Sequence, residues 1–182
     1  ISSLEASLRA LANELGQNSS EDTREKPQYV EGAEHIEFTD EDINQIGEGQ
    51  TAIIINFRDF KLSPSFIGKK PSKVFLIIDF LEHKSQTDYV DPTSDSFNSR
   101  IFFVCKNDFI LKAYLEKSAV PVQLCRSRDD QVTEAGQTEL NLLPFLDNCL
   151  KFTSTVKIWN ETGKAVGKVT FEAALYSPLQ QA

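Results

Sequence analysis

The sequence has few of the residues that build metal centres and lacks the common catalytic motifs. Its 182 residues include only two histidines, His35 and His83, and three widely spaced cysteines, Cys105, Cys125 and Cys149, with no CxxC pair. These residues do not form a zinc ligand set. No GxSxG, HExxH or Walker A sequence occurs. We therefore expect no catalytic residue, no metal site and no cofactor, and we expect reduced, buried thiols.

Basic residues are in the minority, and long apolar runs are absent. Lysine and arginine number 19 against 27 aspartates and glutamates, so the formal net charge is −8. Proteins that bind nucleic acid usually have a basic balance, so we expect no nucleic-acid partner. No apolar run approaches the ~18 residues that a membrane span needs, and no signal peptide is recognisable. The chain begins at Ile1 without methionine, and we expect a fragment of a longer cytoplasmic protein.

The first sixteen residues carry the apolar spacing of a coiled coil. Apolar side chains recur at intervals of 3, 4, 3 and 4 residues, which is the rhythm of a heptad seam. The predicted seam consists of Ile1, Leu4, Leu8, Leu11 and Leu15. We interpret residues 1–16 as the end of a coiled coil that could support self-association, although two heptads dimerise poorly alone. A short amphipathic helix packed on its own domain is the alternative.

Residues 17–50 are predominantly polar and acidic. Few apolar residues offset the carboxylates, so the segment is interpreted as a linker. Residues 35–38 are predicted to form a short strand. Thr39 is predicted to cap a turn of helix that runs through Ile43 and Ile46.

From residue 51 to residue 177, short apolar runs alternate with turn-forming residues. Two-residue periodicity predicts strands, and a hairpin is predicted around Gly163 near the end of the chain. The predicted strands are 52–62, 74–81, 100–105, 120–125, 138–142 and the two arms of that hairpin. Asp108 is predicted to cap a short helix, and residues 126–136 to form a charged loop. Because no helix of crossover length separates the strands, an antiparallel β-sandwich is expected.

The order of these parts resembles a C2 domain over about residues 50 to 177. Phe80 and the polar segment that reaches Phe97 resemble a "YDF…F" passage. Residues 107–117, NDFILKAYLEK, resemble a short "D-x-x-F-x-x-Y-L" helix before a strand. These features are similar to the C2 domains of the retinitis pigmentosa GTPase regulator-interacting protein family, whose members are scaffolds at cilia and centrosomes.

The resemblance implies an all-β fold, an antiparallel eight-stranded C2-like β-sandwich preceded by a short coiled-coil helix. That family also places coiled coils before its C2 domains, as the seam in residues 1–16 would here. The resemblance implies a cytoplasmic scaffold whose location is the cilium base or the centrosome. Many C2 domains bind calcium and lipid, whereas others bind only proteins. Individual residues must therefore indicate which of these ligands the chain can bind.

Calcium needs six to eight oxygen ligands, most of them from carboxylates. Calcium-binding C2 domains supply aspartates from the loop after the first strand and from a "D-x-D" near the fifth. Here residues 63–73 contain no aspartate or glutamate, and the "D-x-D" positions fall on Arg126 and Arg128. Two cations at ligand positions would repel a divalent ion. We therefore predict that the chain does not bind calcium.

The same substitutions predict a basic patch at one end of the sandwich. Its predicted members are Lys69, Lys70, Lys73, Arg126 and Arg128. Such a patch could bind an acidic partner protein or anionic lipid headgroups without calcium. A solvated loop surface with no ligand is the third interpretation. The sequence favours a non-catalytic, calcium-independent module that binds other proteins, with weak contact to anionic membranes as the alternative function.

Overall fold

The computed structural model describes residues 29–33, 36–68, 72–93, 97–117 and 119–179. Within these residues, nine strands dominate. They are β1 (Tyr29–Glu31), β2 (Gln50–Leu62), β3 (Lys73–Phe80), β4 (His83–Gln86), β5 (Asn98–Lys106), β6 (Val120–Arg128), β7 (Gln131–Leu140), β8 (Lys151–Trp159) and β9 (Ala165–Leu175). The helices are α1 (Asp40–Asn44), α2 (Pro64–Ile67) and α3 (Phe109–Lys117), with a 3₁₀ helix at Leu143–Asp147. No helix in these residues is long and apolar enough to span a membrane.

The strands follow one antiparallel path, β4-β3-β6-β7-β8-β9-β2-β5, and β1 pairs with β8. Only one residue pair, Gln137 with Trp159, joins β7 to β8. The path therefore divides there into two four-stranded layers, β4-β3-β6-β7 and β8-β9-β2-β5. The predicted eight-stranded antiparallel sandwich is confirmed, and β1 adds a ninth strand at the edge of the second layer.

The core lies between the two layers and follows from the two-residue period of the strands. Ile53, Ile55 and Phe57 point inward from β2 and belong to the main cluster of buried side chains. Alternate residues of the opposite layer meet them there, among them Leu76 and Ile78 of β3. The sequence predicted β2 from an apolar run followed by this alternation, and β3 from its apolar run.

The prediction of a charged loop at residues 126–136 is wrong. Strand β6 continues to Arg128, the chain reverses at Asp129 and Asp130, and β7 begins at Gln131. Both aspartates have positive φ angles, 53° and 65°, which short polar side chains tolerate in tight turns. Because β7 is exposed from residue 131 to residue 134, this hairpin shows no apolar alternation.

Two further strands, β1 and β4, were not predicted. Strand β4 consists of His83 to Gln86 and pairs with β3 at the edge of its layer. The predicted strand at residues 35–38 is wrong for Ile36 to Phe38, which are not in a strand, and His35 lies outside the described residues. The strand in this part of the chain is β1, at Tyr29–Glu31.

Residues 36–44 cross the outer face of the second layer, and we call them the N-terminal strap. Ile36 is buried against Ile54 and Ala174. Phe38 packs edge-on against Phe102 and Tyr176, with ring centroids 6.4 and 5.4 Å away. Part of the predicted acidic linker is therefore packed on the sandwich.

Both predicted helix caps are present. The Thr39 hydroxyl accepts a hydrogen bond from the Asp42 N–H at 3.1 Å, and the Asp42 carboxylate accepts one from the Thr39 N–H at 2.9 Å. This reciprocal pair is a capping box for α1. At α3, the Asp108 carboxylate accepts hydrogen bonds from the N–H groups of Ile110 and Leu111 at 3.1 and 3.2 Å.

Candidate functional site

Three segments meet at one end of the sandwich around a cavity of about 540 Å³. The first comprises the end of α2 and the start of β3, the second contains Asp91 and Thr93, and the third is the β6–β7 turn with Arg128 and Asp129. We call this the loop-end cavity. In the first and the third of these segments, the resemblance to C2 domains predicted calcium ligands or their substitutes, whereas the segment with Asp91 was not predicted to take part.

Arg126 connects two of these segments. Its guanidinium donates a hydrogen bond to the Phe66 carbonyl and lies 3.8 Å from the centroid of the Phe66 ring. Burial and the neighbouring Arg128 lower the pKa of Arg126, but a guanidinium remains charged in proteins. The cation at the first "D-x-D" position thus holds α2 against β6. We call this contact the Arg126 clamp.

The structure describes three of the five predicted basic residues, Lys73, Arg126 and Arg128. Lys73 pairs with Ser127 in the β3–β6 ladder, so its side chain leaves the face of the layer opposite to that of Arg126 and Arg128. Lys69 and Lys70 lie outside the described residues. Lys73 and Arg128 share the loop-end cavity with two carboxylates, Asp91 and Asp129, so the charge of this end is mixed.

Asp91 is held as a carboxylate by its surroundings. Its Oδ1 accepts hydrogen bonds from the Thr93 N–H at 2.9 Å and the Thr93 hydroxyl at 2.7 Å. These bonds, with a smaller contribution from Lys73, lower the pKa of Asp91. Among the described residues, no group of three or more His, Cys, Asp and Glu side chains is placed to hold a metal ion.

The three cysteines are free thiols. Cys105 and Cys125 are buried, and Cys149 is partly buried. Burial, with a smaller contribution from Asp108, raises the pKa of Cys105 to about 11, so this thiol is protonated at neutral pH. The Cys149 thiol donates a hydrogen bond to the Lys151 carbonyl at 3.1 Å. The five residues of the predicted coiled-coil seam, Ile1, Leu4, Leu8, Leu11 and Leu15, all lie outside the described residues.

A second surface was not predicted from the sequence, and it lies where β7 and β8 separate. It is a cleft of about 940 Å³ that is lined by residues of β3, β6, β7, β8 and the β8–β9 turn. We call it the β7–β8 cleft. Trp159, which is 41% exposed, forms part of its wall. Because Trp159 is the one tryptophan of the sequence, its position at the end of a strand was the available signal.

Gly136 allows the two layers to meet beside this cleft. A Cβ atom at Gly136 would lie 2.9 Å from the Ile158 Cγ2 atom and 3.2 Å from the Trp159 carbonyl oxygen. Real side chains essentially never approach as closely as the first of these distances. A glycine is therefore required where the single Gln137–Trp159 pair joins the layers.

Comparisons with known proteins place these features in a family. Residues 43–178 match the profile of the first C2 domain of RPGR-interacting protein 1. The comparison with curated proteins found no match.

Two solved structures are similar to this chain at low sequence identity. The structure described as "CC2D1B coordinates ESRCT-III activity during the mitotic reformation of the nuclear envelope" has 12% identity and a TM-score of 0.54, over 91% of this chain and 70% of that one. A C2 domain of a plant extended synaptotagmin 1 has 11% identity and a TM-score of 0.47, over 73% of this chain and 97% of that one.

Proposed function

Because the chain belongs to the family of first C2 domains of RPGR-interacting protein 1, we propose that it is a non-catalytic, calcium-independent module that binds other proteins. C2 domains generally mediate protein or lipid interactions. In this proposal the module belongs to a cytoplasmic scaffold at the cilium base or the centrosome. The family resemblance supports that location, and a tagged chain that fails to concentrate there in ciliated cells would argue against it.

The Arg126 clamp is the observation that supports calcium independence. A calcium ion at this end would require carboxylates where Arg126 and Arg128 stand. The guanidinium of Arg126 already joins α2 to β6 through the Phe66 carbonyl and ring. The guanidinium of Arg126 makes the contact between the two segments, and Arg126 and Arg128 would repel a second cation bound at their positions.

Affinity capture tests the protein-binding proposal. The chain is immobilised and incubated with ciliated-cell lysate, once with calcium and once with a chelator, and bound proteins are quantified by mass spectrometry. We expect the same proteins, in the same amounts, under both conditions. Capture only with calcium would contradict calcium independence, and no reproducible capture would contradict protein binding.

Binding to anionic membranes is the second candidate function. It is favoured by three cations near the loop end, Lys73 at the start of β3 and Arg126 and Arg128 at the end of β6. The carboxylates of Asp91 and Asp129 in the same cavity weaken it. The variant Lys69→Glu/Lys70→Glu/Lys73→Glu tests it, because these changes leave the Arg126 clamp intact. This candidate predicts that the variant loses binding to anionic vesicles, and unchanged binding would exclude it.

Self-association through the heptads of residues 1–16 stays a prediction. Analytical ultracentrifugation of the chain and of a Leu4→Gln/Leu8→Gln/Leu11→Gln variant measures it. The coiled-coil hypothesis predicts a concentration-dependent dimer that the variant loses. An equal sedimentation coefficient for both chains would favour the alternative, a helix that does not associate.

A further inference from the structure

We propose that the β7–β8 cleft binds an extended, basic segment of a partner protein, which adds a strand to an open edge and places an arginine or lysine against Trp159. The inference rests on the proposed protein-binding function, and it names the surface and the chemistry of the partner. It requires an open strand edge, an exposed aromatic ring and an excess of carboxylates.

The open edge is set by the pairing of β8. Strand β1 pairs with residues 152–154 of β8, and Gln137 of β7 pairs with Trp159. Residues 155–158 lie between these contacts and, within the described part of the chain, have no strand partner on that edge. Strand β7 is paired along β6 on its other side. An extended peptide can pair with such an edge through its own backbone.

The walls of the cleft fit a basic side chain. Asp79, Glu139 and Glu161 line the cleft, and among the lining residues that the structure describes Lys157 is the one cation. The Trp159 ring already has the Lys157 Nζ atom 5.8 Å from its centroid, so a cation can approach its face. Guanidinium groups bind tryptophan faces well, and carboxylates nearby strengthen that preference. The net charge of −8 favours the approach of a basic partner.

The apolar residues that line the cleft indicate a second feature of the partner, a β-branched side chain. Pro121 and Val156 contribute apolar surface to the same cleft. Side chains two positions apart on a strand share one face. A β-branched residue two positions from the arginine or lysine would therefore pack on this apolar surface. The inferred ligand alternates basic and β-branched residues on one face of an extended backbone.

Peptide selection followed by tryptophan fluorescence tests the inference. Random twelve-residue peptides on phage are selected on the immobilised chain, and the selected peptides are titrated while the emission of Trp159 is recorded. Because the chain contains one tryptophan, the signal comes from the cleft itself. We expect selected peptides that are enriched in arginine and lysine and that change the emission with saturation.

Three variants connect the binding to the named residues. Asp79→Asn/Glu161→Gln should lower the affinity for the selected peptides by roughly tenfold, about threefold for each carboxylate. Lys157→Gln should raise the affinity for these peptides, because it removes the cation that competes for the Trp159 ring. Glu116→Gln, an exposed change on α3, is the matched control and should leave affinity unchanged. Amide hydrogen exchange should show new protection at residues 155–158 and no change at residues 152–154.

Several results would overturn the inference. These are an empty selection, selected peptides without basic enrichment, equal affinity in the Asp79→Asn/Glu161→Gln variant, and unchanged exchange at residues 155–158. The lysate capture separates this inference from the proposed function. If the double variant captures the same proteins as the original chain, the protein-binding function stands and the cleft is not the binding surface.

Discussion

At the scale of single residues, Arg126 shows how one side chain changes the chemistry of a loop. Its guanidinium contacts both the carbonyl and the ring of Phe66. Each contact is favourable because the group is partly withdrawn from water, where hydrogen bonds to charged groups and cation–π contacts are stronger. A substitution that keeps the length of the side chain but removes its charge isolates these contributions.

We expect Arg126→Met to lower the free energy of unfolding by about 1–3 kcal/mol, since it removes a charged hydrogen bond and a cation–π contact. Urea denaturation measures the change. Lys73→Met is the matched control, because Lys73 is exposed on the neighbouring strand and its replacement should alter stability by less than about 0.5 kcal/mol. Equal effects of the two substitutions would show that the Arg126 clamp does not stabilise the loop end.

Asp42 predicts a pH dependence. Burial alone would raise its pKa, but hydrogen bonds from Thr39 and Arg100 outweigh burial and lower the pKa below the ordinary 3.8. The carboxylate therefore stabilises the folded chain above pH 3.8, and this contribution is lost as the pH falls through the lower pKa of the folded state.

Asp42→Asn should lower the free energy of unfolding at neutral pH by about 1–2 kcal/mol, since it weakens the capping box and the contact to Arg100. The loss should shrink in acid, where the original carboxylate is protonated as well. Denaturation curves at several pH values measure this difference. Asp40→Asn, an exposed change in the same helix, should show a smaller effect, and an equal loss in both variants would contradict the assignment to Asp42.

At the scale of elements, the N-terminal strap makes the outer face of the second layer part of the folded unit. Ile36 is 2% exposed and packs against Ile54 and Ala174. Ile36→Ala should lower the free energy of unfolding by about 3 kcal/mol, because truncation of a buried isoleucine to alanine typically has an effect of this size. Val30→Ala in β1 is the control, because Val30 is 72% exposed and its replacement should cost little. If Ile36→Ala had no more effect than Val30→Ala, the strap would not be packed on the sandwich in solution.

The seam between the two layers depends on Gly136. Gly136→Ala should destabilise the chain by about 1–3 kcal/mol, because the new methyl group would overlap the Ile158 side chain and crowd the backbone of β8. In Gly47→Ala the nearest atom is the end of the flexible Gln50 side chain, 3.1 Å away, so that variant should be tolerated. Chemical denaturation compares the two, and a harmless Gly136→Ala would mean that the seam is looser than described.

The sequence predicted the elements that bury one face. Strands β2, β3, β5 and β6 were predicted from apolar runs, and alternate side chains of these runs enter the core. Strand β4 and the first half of β7 were missed because their side chains are largely exposed and polar on both faces. The contacts of Ile36 were missed because one buried residue in an acidic segment carries no periodic signal.

The candidate sites follow the same logic. The resemblance to C2 domains brought Lys73, Arg126 and Arg128 to one end in advance, because their positions follow from the strand order. The carboxylates of that end and the ring of Phe66 became visible only with the loop geometry. The β7–β8 cleft could not be predicted, because Asp79, Glu139 and Trp159 come from three strands whose arrangement depends on the separation of β7 from β8.

At the scale of the whole molecule, charge and architecture favour a protein partner. The chain carries a net charge of −8, its loop end mixes cations with carboxylates, and the cations at the "D-x-D" positions would repel a calcium ion. An anionic membrane would be repelled by most of this surface. The central claim is that this C2 domain binds proteins and requires neither calcium nor lipid.

Co-sedimentation with lipid vesicles tests that claim most directly. The chain is mixed with anionic or neutral vesicles, each with calcium or with a chelator, and the pellet is assayed. We predict that the chain stays in the supernatant under all four conditions. Pelleting with anionic vesicles only when calcium is present would contradict calcium independence, and pelleting with them regardless of calcium would contradict the protein-binding account in favour of a membrane-binding module.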